Sequence, residues 1–423
     1  MRILHLSQFH APVIGGEERH VVSLSEGLAA RGHEVAVATL AHPDRPPVLV
    51  RNGVTIRSLT GLAQRGAFLF SEPERRHAPP FPDPELTVRL AGLVREFQPD
   101  VVHGHNWMLH AFLPLKRRSG PRLVATLHDY SLVCARKNML RFGEEVCTGP
   151  SARRCLPCAA DHFGALVGGV TCVGNWLSGV FERRAVDRFI AVSRAVAATC
   201  GLDHSGRPYE VLPTFIPDAV ASLDPEPDPR LAGLPPDGYL LFVGDLTRGK
   251  GVHILLDAYR RLADAPPLVL IGRRCPDTPT ELPDNVRLFE SWPHAAVMHA
   301  WSRCLFGIAP SVWAEACGTI VMEGHAVGRP MIATDTGGLR DLVAPGETGL
   351  LVPPGDAVAL AEAMRTLIAD RALRERMAAA SPARARLFMA STLVPRIERV
   401  YADVLAEAAA PVSRLPAATR EAA

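Results

Sequence analysis

Two carboxylates eight positions apart, Glu315 and Glu323, flank Gly318 and Thr319 and are the residues of this chain best spaced to grip a long polar ligand. A helix is predicted to start near Gly318, leaving Glu315 on the preceding loop and Glu323 one to two turns inside. At about 1.5 Å of rise per residue the two groups stand on the order of 10 Å apart, too far to share a proton. A simple acid/base pair is thereby excluded. The remaining chemistry is that of a clamp. An ionised carboxylate accepts hydrogen bonds from vicinal hydroxyls, and the exposed N–H groups of residues 317–319 face a phosphate or a sugar. The plainer reading of Glu323 is a helix-surface charge, against which stands the cost of a carboxylate in the apolar run GTIVMEGHAV.

Two glycine turns suit an anion. Gly15 and Gly16 lie between a first strand and a helix, where backbone N–H groups approach a phosphate unobstructed; the plainer reading is a turn and nothing more. Residues 244–250 spell G-x-x-x-x-G-K, but the Ser or Thr that a P-loop places next for magnesium is Gly251 here, which disfavours a P-loop kinase. Arg248 and Lys250 at that helix start are suited to neutralising a diphosphate leaving group; alone they read equally as solvated bases. The chain has no Asp-x-Asp pair. His103, His105 and His128 follow strands, where packed structural histidines are the commoner case. Cys134, Cys147, Cys155 and Cys158 fall within twenty-five residues, and Cys155-Leu-Pro-Cys158 has zinc-knuckle spacing. A structural zinc clip competes there with reduced thiols or a labile disulfide.

The elements that must position these groups alternate. RILHL, a helix from about Glu18 to Arg31, EVAVATL, DVVHGH, LVATLH and FIAVS form one strand–helix series; Val21, Leu24 and Leu28 share a helix face, with Glu17, Glu18 and Arg31 toward water. The segment 217–238 contains six prolines and reads as a connection. YLLFVG, PLVLIG, VRLFE, LFGIAPS, PMIAT and GLLVP then form a second series. The expectation is an α/β protein of two Rossmann-like doubly wound domains facing a central cleft, with ligands at the carboxyl ends of the strands. Boundaries are set at 1–212, 213–238 for the linker, 239–385, and 386–423 for a helix crossing back to the first domain with a frayed tail. A cysteine-containing insertion spans about 134–180, and the segment 78–84 is a loop.

With 46 basic and 44 acidic residues there is no global field to hold nucleic acid. The N-terminus reads as a buried strand rather than a signal peptide, and nine cysteines with no secretory signal argue for mostly reduced thiols, so a cytoplasmic protein is expected. The uncharged stretch 162–181 is too polar and glycine-broken for a membrane span. Arg117-Arg118, Arg153-Arg154 and Arg183-Arg184 read as solvated faces, with peripheral membrane contact for a lipid-linked acceptor as the alternative.

Taken in order, GGEERH, RGHEV, PDVVHGH, ATLHDYSLVC, AVSRAV, GDLTRGKG, Glu315-x7-Glu323, ATDTGGLRDLV and GETGLLVPPGD resemble the retaining glycosyltransferases of family 4 over nearly the whole chain. The resemblance implies the GT-B fold, with the acceptor on the first domain and the nucleotide sugar on the second. It implies that Glu315 contacts donor-sugar hydroxyls, Glu323 holds the ribose, Lys250 binds the diphosphate, Gly15-Gly16 closes over it and His128 lies beside the transferred sugar. It further implies transfer with retention, and the missing Asp-x-Asp pair, with Arg248, Lys250 and helix N-termini to offset the diphosphate, points to metal-independent transfer, with UDP favoured ahead of GDP, to a glycan, lipid-linked or small-molecule hydroxyl. Two departures stand out: Asp245 where relatives often carry Arg, whose charge Arg248 is expected to supply, and Thr214-Phe215 where they often show Pro-Asn-Gly. A nucleotide-sugar epimerase of the same architecture and a catalytically silent nucleotide-sugar-binding protein are the competing readings.

Overall fold

The computed structural model describes residues 1–13, 15–66, 77–222, 228–236 and 238–409. Part of the predicted linker and the predicted tail beyond 409 lie outside the described residues. Two sheets organise the rest. The first comprises β1 (Arg2–Ser7), β2 (Glu34–Leu40), β3 (Val48–Arg51), β4 (Val54–Leu59), β5 (Val101–His105) and β6 (Arg122–Leu127), followed by the separate ribbon β7 (Leu140–Arg141) and β8 (Glu145–Val146), then β9 (Arg188–Ala191) and β10 (Tyr209–Val211). Its order is β10-β9-β6-β5-β1-β2-β4-β3, parallel except for the β3–β4 edge pair. The second comprises β11 (Leu240–Val243), β12 (Leu268–Ile271), β13 (Val286–Phe289), β14 (Phe306–Ala309), β15 (Met331–Thr334) and β16 (Gly349–Val352), all parallel in the order β13-β12-β11-β14-β15-β16.

Parallel strands require crossovers, and helices supply most of them. Those around the first sheet are α1 (Gly16–Ala30), α2 (Leu62–Arg65), α3 (Pro84–Phe97), α4 (Ala152–Phe163), α5 (Ala165–Ala185) and α6 (Arg194–Thr199). Those around the second are α7 (Val252–Arg260), α8 (His294–Arg303), α9 (Thr319–Ala326), α10 (Leu339–Leu342), α11 (Ala357–Ala369) and α12 (Arg371–Arg386). Burial on both faces explains why strands such as VVHGH and LVLI are buried at every position. β3, β4 and β10 are strands that alternation alone did not single out; they sit at or next to sheet edges, where half-exposed residues blur the pattern.

The last helix, α13 (Ala390–Ala409), returns to the first sheet. Its Leu393, Val394, Ile397, Val400, Tyr401 and Val404 are buried in one cluster with Ile3, Val21, Leu24 and Val37. A Cβ on Gly27 would come within 3.2 Å of Val394, so α1 and α13 approach closely where α1 lacks a side chain. Both crossings between the sheets are laced together: Ile216 N–H donates to the Phe388 carbonyl at 3.0 Å, and Ala390 N–H to that of Ile216 at 2.9 Å.

Candidate active site

Three helices that start beside the predicted site begin after glycines and have no side-chain cap: α1 after Gly15, α7 after Gly251 and α9 after Gly318. By contrast Asp83, Asp356 and Asp370 cap α3, α11 and α12 through their carboxylates. Uncapped first-turn N–H groups keep both their donors and the positive end of the helix dipole available to an anion.

Each glycine has its own reason. Gly251 has φ +75°, and a Cβ there would stand 1.9 Å from the Pro310 carbonyl oxygen, so the Ser or Thr of a P-loop does not fit. A Cβ on Gly318 would meet Leu339 at 2.4 Å. Gly16, with nothing within 4 Å of that position, opens onto a cavity instead.

The two glutamates are buried and share no partner among the described residues. Lys250 Nζ lies 2.9 Å from Glu315 Oε1, which also accepts from Ser311 Oγ, and the ammonium stands 5.6 Å from the Trp313 ring centre. The Glu315 backbone carbonyl accepts the Gly338 N–H at 2.6 Å, while a Cβ on Gly337 would stand 2.2 Å from that same oxygen, so the GG of ATDTGG fixes the loop bearing the carboxylate. Glu323 Oε1 instead pairs with His294 Nε2 at 2.8 Å. His294, on α8, carried no motif and was missed by the sequence reading; only packing of α8 on α9 brings it there.

Glu323, His294 and Thr319 from the second half and Gly16, Glu18 and Arg19 from the first line one cavity of about 470 Å³. Glu315 and Lys250 are not part of its lining; they form a separate cluster, with Glu315 Oε2 3.7 Å from the Cβ position at Gly318, the residue that begins α9. Glu17 and Glu18 correct the expectation that they face water: Glu18 is buried, and Glu17 accepts a hydrogen bond from Asn106 Nδ2. Burial, with the charges of Glu18 and Asp129, holds the Glu17 carboxyl up to about 8. The α1 periodicity is amphipathic, but its polar face meets protein rather than solvent.

Arg248 projects an exposed side chain, and its backbone N–H donates to Asp277 at 2.6 Å. The partner of Asp245 is Arg273, at 2.9 Å, so the turn gains a basic residue from the loop after β12.

His128 ends a buried imidazole chain. His105 Nδ1 is 2.9 Å from His128 Nε2, and His105 Nε2 is 3.1 Å from His5 Nδ1. His103 joins Thr126 Oγ1 and Tyr401 Oη of α13, each at 2.7 Å, and His20 stacks edge-on to His128. Burial lowers His5 and His128 to about 3 and holds His20, His103 and His105 well below the usual value, so all five rings are neutral at pH 7. In neutral rings each N–H···N bond has one donor, so the tautomer of His128 is linked through His105 to that of His5.

All four insertion cysteines, Cys134, Cys147, Cys155 and Cys158, are free and line one small cavity of about 30 Å³. The Sγ atoms of Cys155 and Cys158 accept backbone N–H groups from Ser151 and Phe142, both at 3.3 Å. The metal-ligating sets that lie within 4.8 Å of one another among the described residues are both made of histidines, so the thiols would have to draw together to take a metal.

Comparison with known proteins decides the family. Residues 14–219 match the model of Glycosyltransferase Family 4, and residues 232–384 that of Glycosyl transferases group 1. The chain belongs to the group 1 glycosyl transferases. This glycosyltransferase, which takes its sugar from a nucleotide-sugar donor, is 26% identical to the glycogen synthase of Mycobacterium tuberculosis, covering 98% of each chain. It is 27% identical to the phosphatidyl-myo-inositol mannosyltransferase of Mycobacterium leprae, over 96% of this chain and 97% of the other. The crystal structure of Anabaena HepE in complex with UDP superposes with a TM-score of 0.68 at 19% identity, over 95% of this chain and all of that one. The fold is thus GT-B, two Rossmann-like units with parallel sheets.

Proposed function

We propose that the glycosyltransferase transfers its sugar with retention and without a catalytic metal, from a UDP-sugar ahead of a GDP-sugar, to a hydroxyl of a glycan, lipid-linked or small-molecule acceptor. The observation that carries this reading is the 470 Å³ cavity, whose wall combines the uncapped start of α1 at Gly16 with Thr319, His294 and Glu323 across from it. Glu323, oriented by His294, holds the ribose; Thr319 and the first turn of α9 meet the diphosphate beside Lys250. Glu315, held on a loop with Lys250 and Ser311, grips donor-sugar hydroxyls. Lys250 and the uncapped starts of α1, α7 and α9 offset the charge that develops on the leaving diphosphate. The sugar C1–O bond to the phosphate breaks as the acceptor oxygen bonds to the same face of C1, and the leaving phosphate oxygen takes the acceptor proton. His128, neutral and held by His105, stands by the sugar. UDP is favoured by the UDP complex of the similar HepE fold, and a sugar or lipid acceptor by the names of the two relatives.

Screening UDP-, GDP- and ADP-sugars for hydrolysis and thermal stabilisation tests the donor. Glu323→Ala is expected to weaken donor binding about tenfold or more, since a charged hydrogen bond contributes about 1.5–3 kcal/mol. Glu315→Ala is expected mainly to lower turnover; unchanged kinetics in both variants would sink the assignment. Activity abolished by EDTA and restored by magnesium would overturn the metal-free mechanism.

The insertion is further proposed to hold a structural zinc on Cys134, Cys147, Cys155 and Cys158, with no part in transfer. Four free thiols around one cavity support it, as do the N–H bonds to sulfur, which stabilise thiolate ligands. Burial pushes the Cys134 and Cys155 thiols up, so zinc binding is expected to release protons. Purified protein with zinc absent at stoichiometric level would dispose of it.

A further inference from the structure

α5 is a helix turned inside out. Its buried face consists of Gly168, Thr171, Cys172, Asn175, Ser178, Gly179 and Glu182. Its large apolar residues point the other way: Leu166 is 80% exposed, Leu177 and Phe181 60%, and Val170, Val173 and Val180 44–50%. The spacing 166, 170, 173, 177, 180, 181 is that of one helical face, about 22 Å long at about 1.5 Å per residue. Small inward residues explain the packing. A Cβ on Gly168 would stand 2.3 Å from the Ala159 carbonyl of α4, and one on Gly174 2.7 Å from Phe81. Close approach does not explain why the outer face carries Leu, Val and Phe rather than polar residues. Exposed apolar stripes of this size on a soluble surface mark a contact with something apolar.

The charge around the stripe is positive. Glu182, the one acid of α5, is buried against His110 at 2.8 Å. At the C-terminal end Arg184 and Arg207 gather, with Arg207 donating to the Arg184 carbonyl, and among the described residues neither is in an ion pair; the half-buried Arg183 turns back to the Gly179 and Cys200 carbonyls. No helix among the described residues is long and apolar enough to cross a membrane. An apolar face bordered by unpaired arginines fits the boundary between the acyl chains and an anionic headgroup layer, where apolar side chains insert and guanidinium groups meet phosphates. A second copy of this chain, with 46 basic and 44 acidic residues, brings no such excess of negative charge.

We propose that the outer face of α5 is a docking face on which the protein lies against the surface of an anionic lipid bilayer without crossing it. The inference goes beyond the transfer reaction and uses none of its site residues. Flotation with phosphatidylcholine vesicles, with and without phosphatidylglycerol, tests it. The full chain is expected to float with the anionic vesicles and far less with phosphatidylcholine alone, and to be released by salt. Leu177→Asp with Phe181→Asp is expected to lose vesicle binding by about tenfold or more, with its melting temperature and donor turnover in detergent-free buffer unchanged. Arg184→Ala, at an exposed position, is expected to lose about fivefold and to flatten the salt dependence, which keeps the test informative if the double variant fails to fold. Equal flotation of the wild type and these variants, no flotation of the wild type, or a dimer in sedimentation that the double variant abolishes without vesicle binding would each overturn the proposal.

Discussion

Glycine has two opposite uses in this site. At Gly251 the missing Cβ is required by the protein itself, through φ +75° and the Pro310 carbonyl. At Gly16 nothing in the protein needs the space, and the proposed donor would use it. Gly251→Ala should therefore lower thermal stability, by about 1–3 kcal/mol at a position of this strain, whereas Gly16→Val should fold normally and lose donor affinity; thermal unfolding and donor titration separate the two. Titration gives a second pair of opposites. The buried histidines are neutral in the fold with depressed values, so the unfolded chain takes up protons first. Their contribution to stability is present above about 6.5 and is lost as pH falls from there toward about 3. Glu17 has the reverse sign. Its value is raised from 4.5 to about 8, so its contribution is full below 4.5 and is lost as pH rises to about 8. Urea unfolding across pH 5–8.5 should show Glu17→Gln removing a loss of stability that runs from about 5 to about 8, and His5→Phe removing a gain that ends near 6.5.

At the scale of elements, most strands of both sheets were legible because parallel strands buried on both faces read as short apolar runs bounded by turns. The helices were legible as periodicity but not as orientation. α1 shows an amphipathic pattern, yet its polar residues Glu17 and Glu18 face protein and cavity. In α5 the same stretch was read as too polar and glycine-broken to span a membrane. Its Gly168, Gly174 and Gly179 sit on the contact side, and its large apolar residues point outward. Periodicity locates a face; it does not say what that face meets.

The whole molecule is tied at one place twice. The chain leaves the first unit at Ile216 and returns through Phe388 and Ala390, which hydrogen-bond to Ile216. α13 then buries six apolar side chains on the first sheet and links Tyr401 to His103 and so to the ring cluster behind His128. Deleting residues 390–423 is expected to loosen the first unit far more than the second. Hydrogen exchange should show protection falling in β1, β2 and α1 while β11, β14 and β15 hold; equal losses in both units would argue against this linkage.

By itself the sequence determined the fold class, the family, the two glycine turns and the helix start at Gly318 between Glu315 and Glu323, because these depend on local spacing and on backbone needs that particular residue types meet. The tertiary structure alone decided that Glu323 meets His294, that Glu315 meets Lys250 and that Asp245 is answered by Arg273. It also decided that burial pushes the Glu17 carboxyl up and that His5, His105 and His128 form one chain. Each of these pairs residues far apart in sequence, and a side chain's charge and partners follow from burial and from packing between elements, which no local pattern encodes.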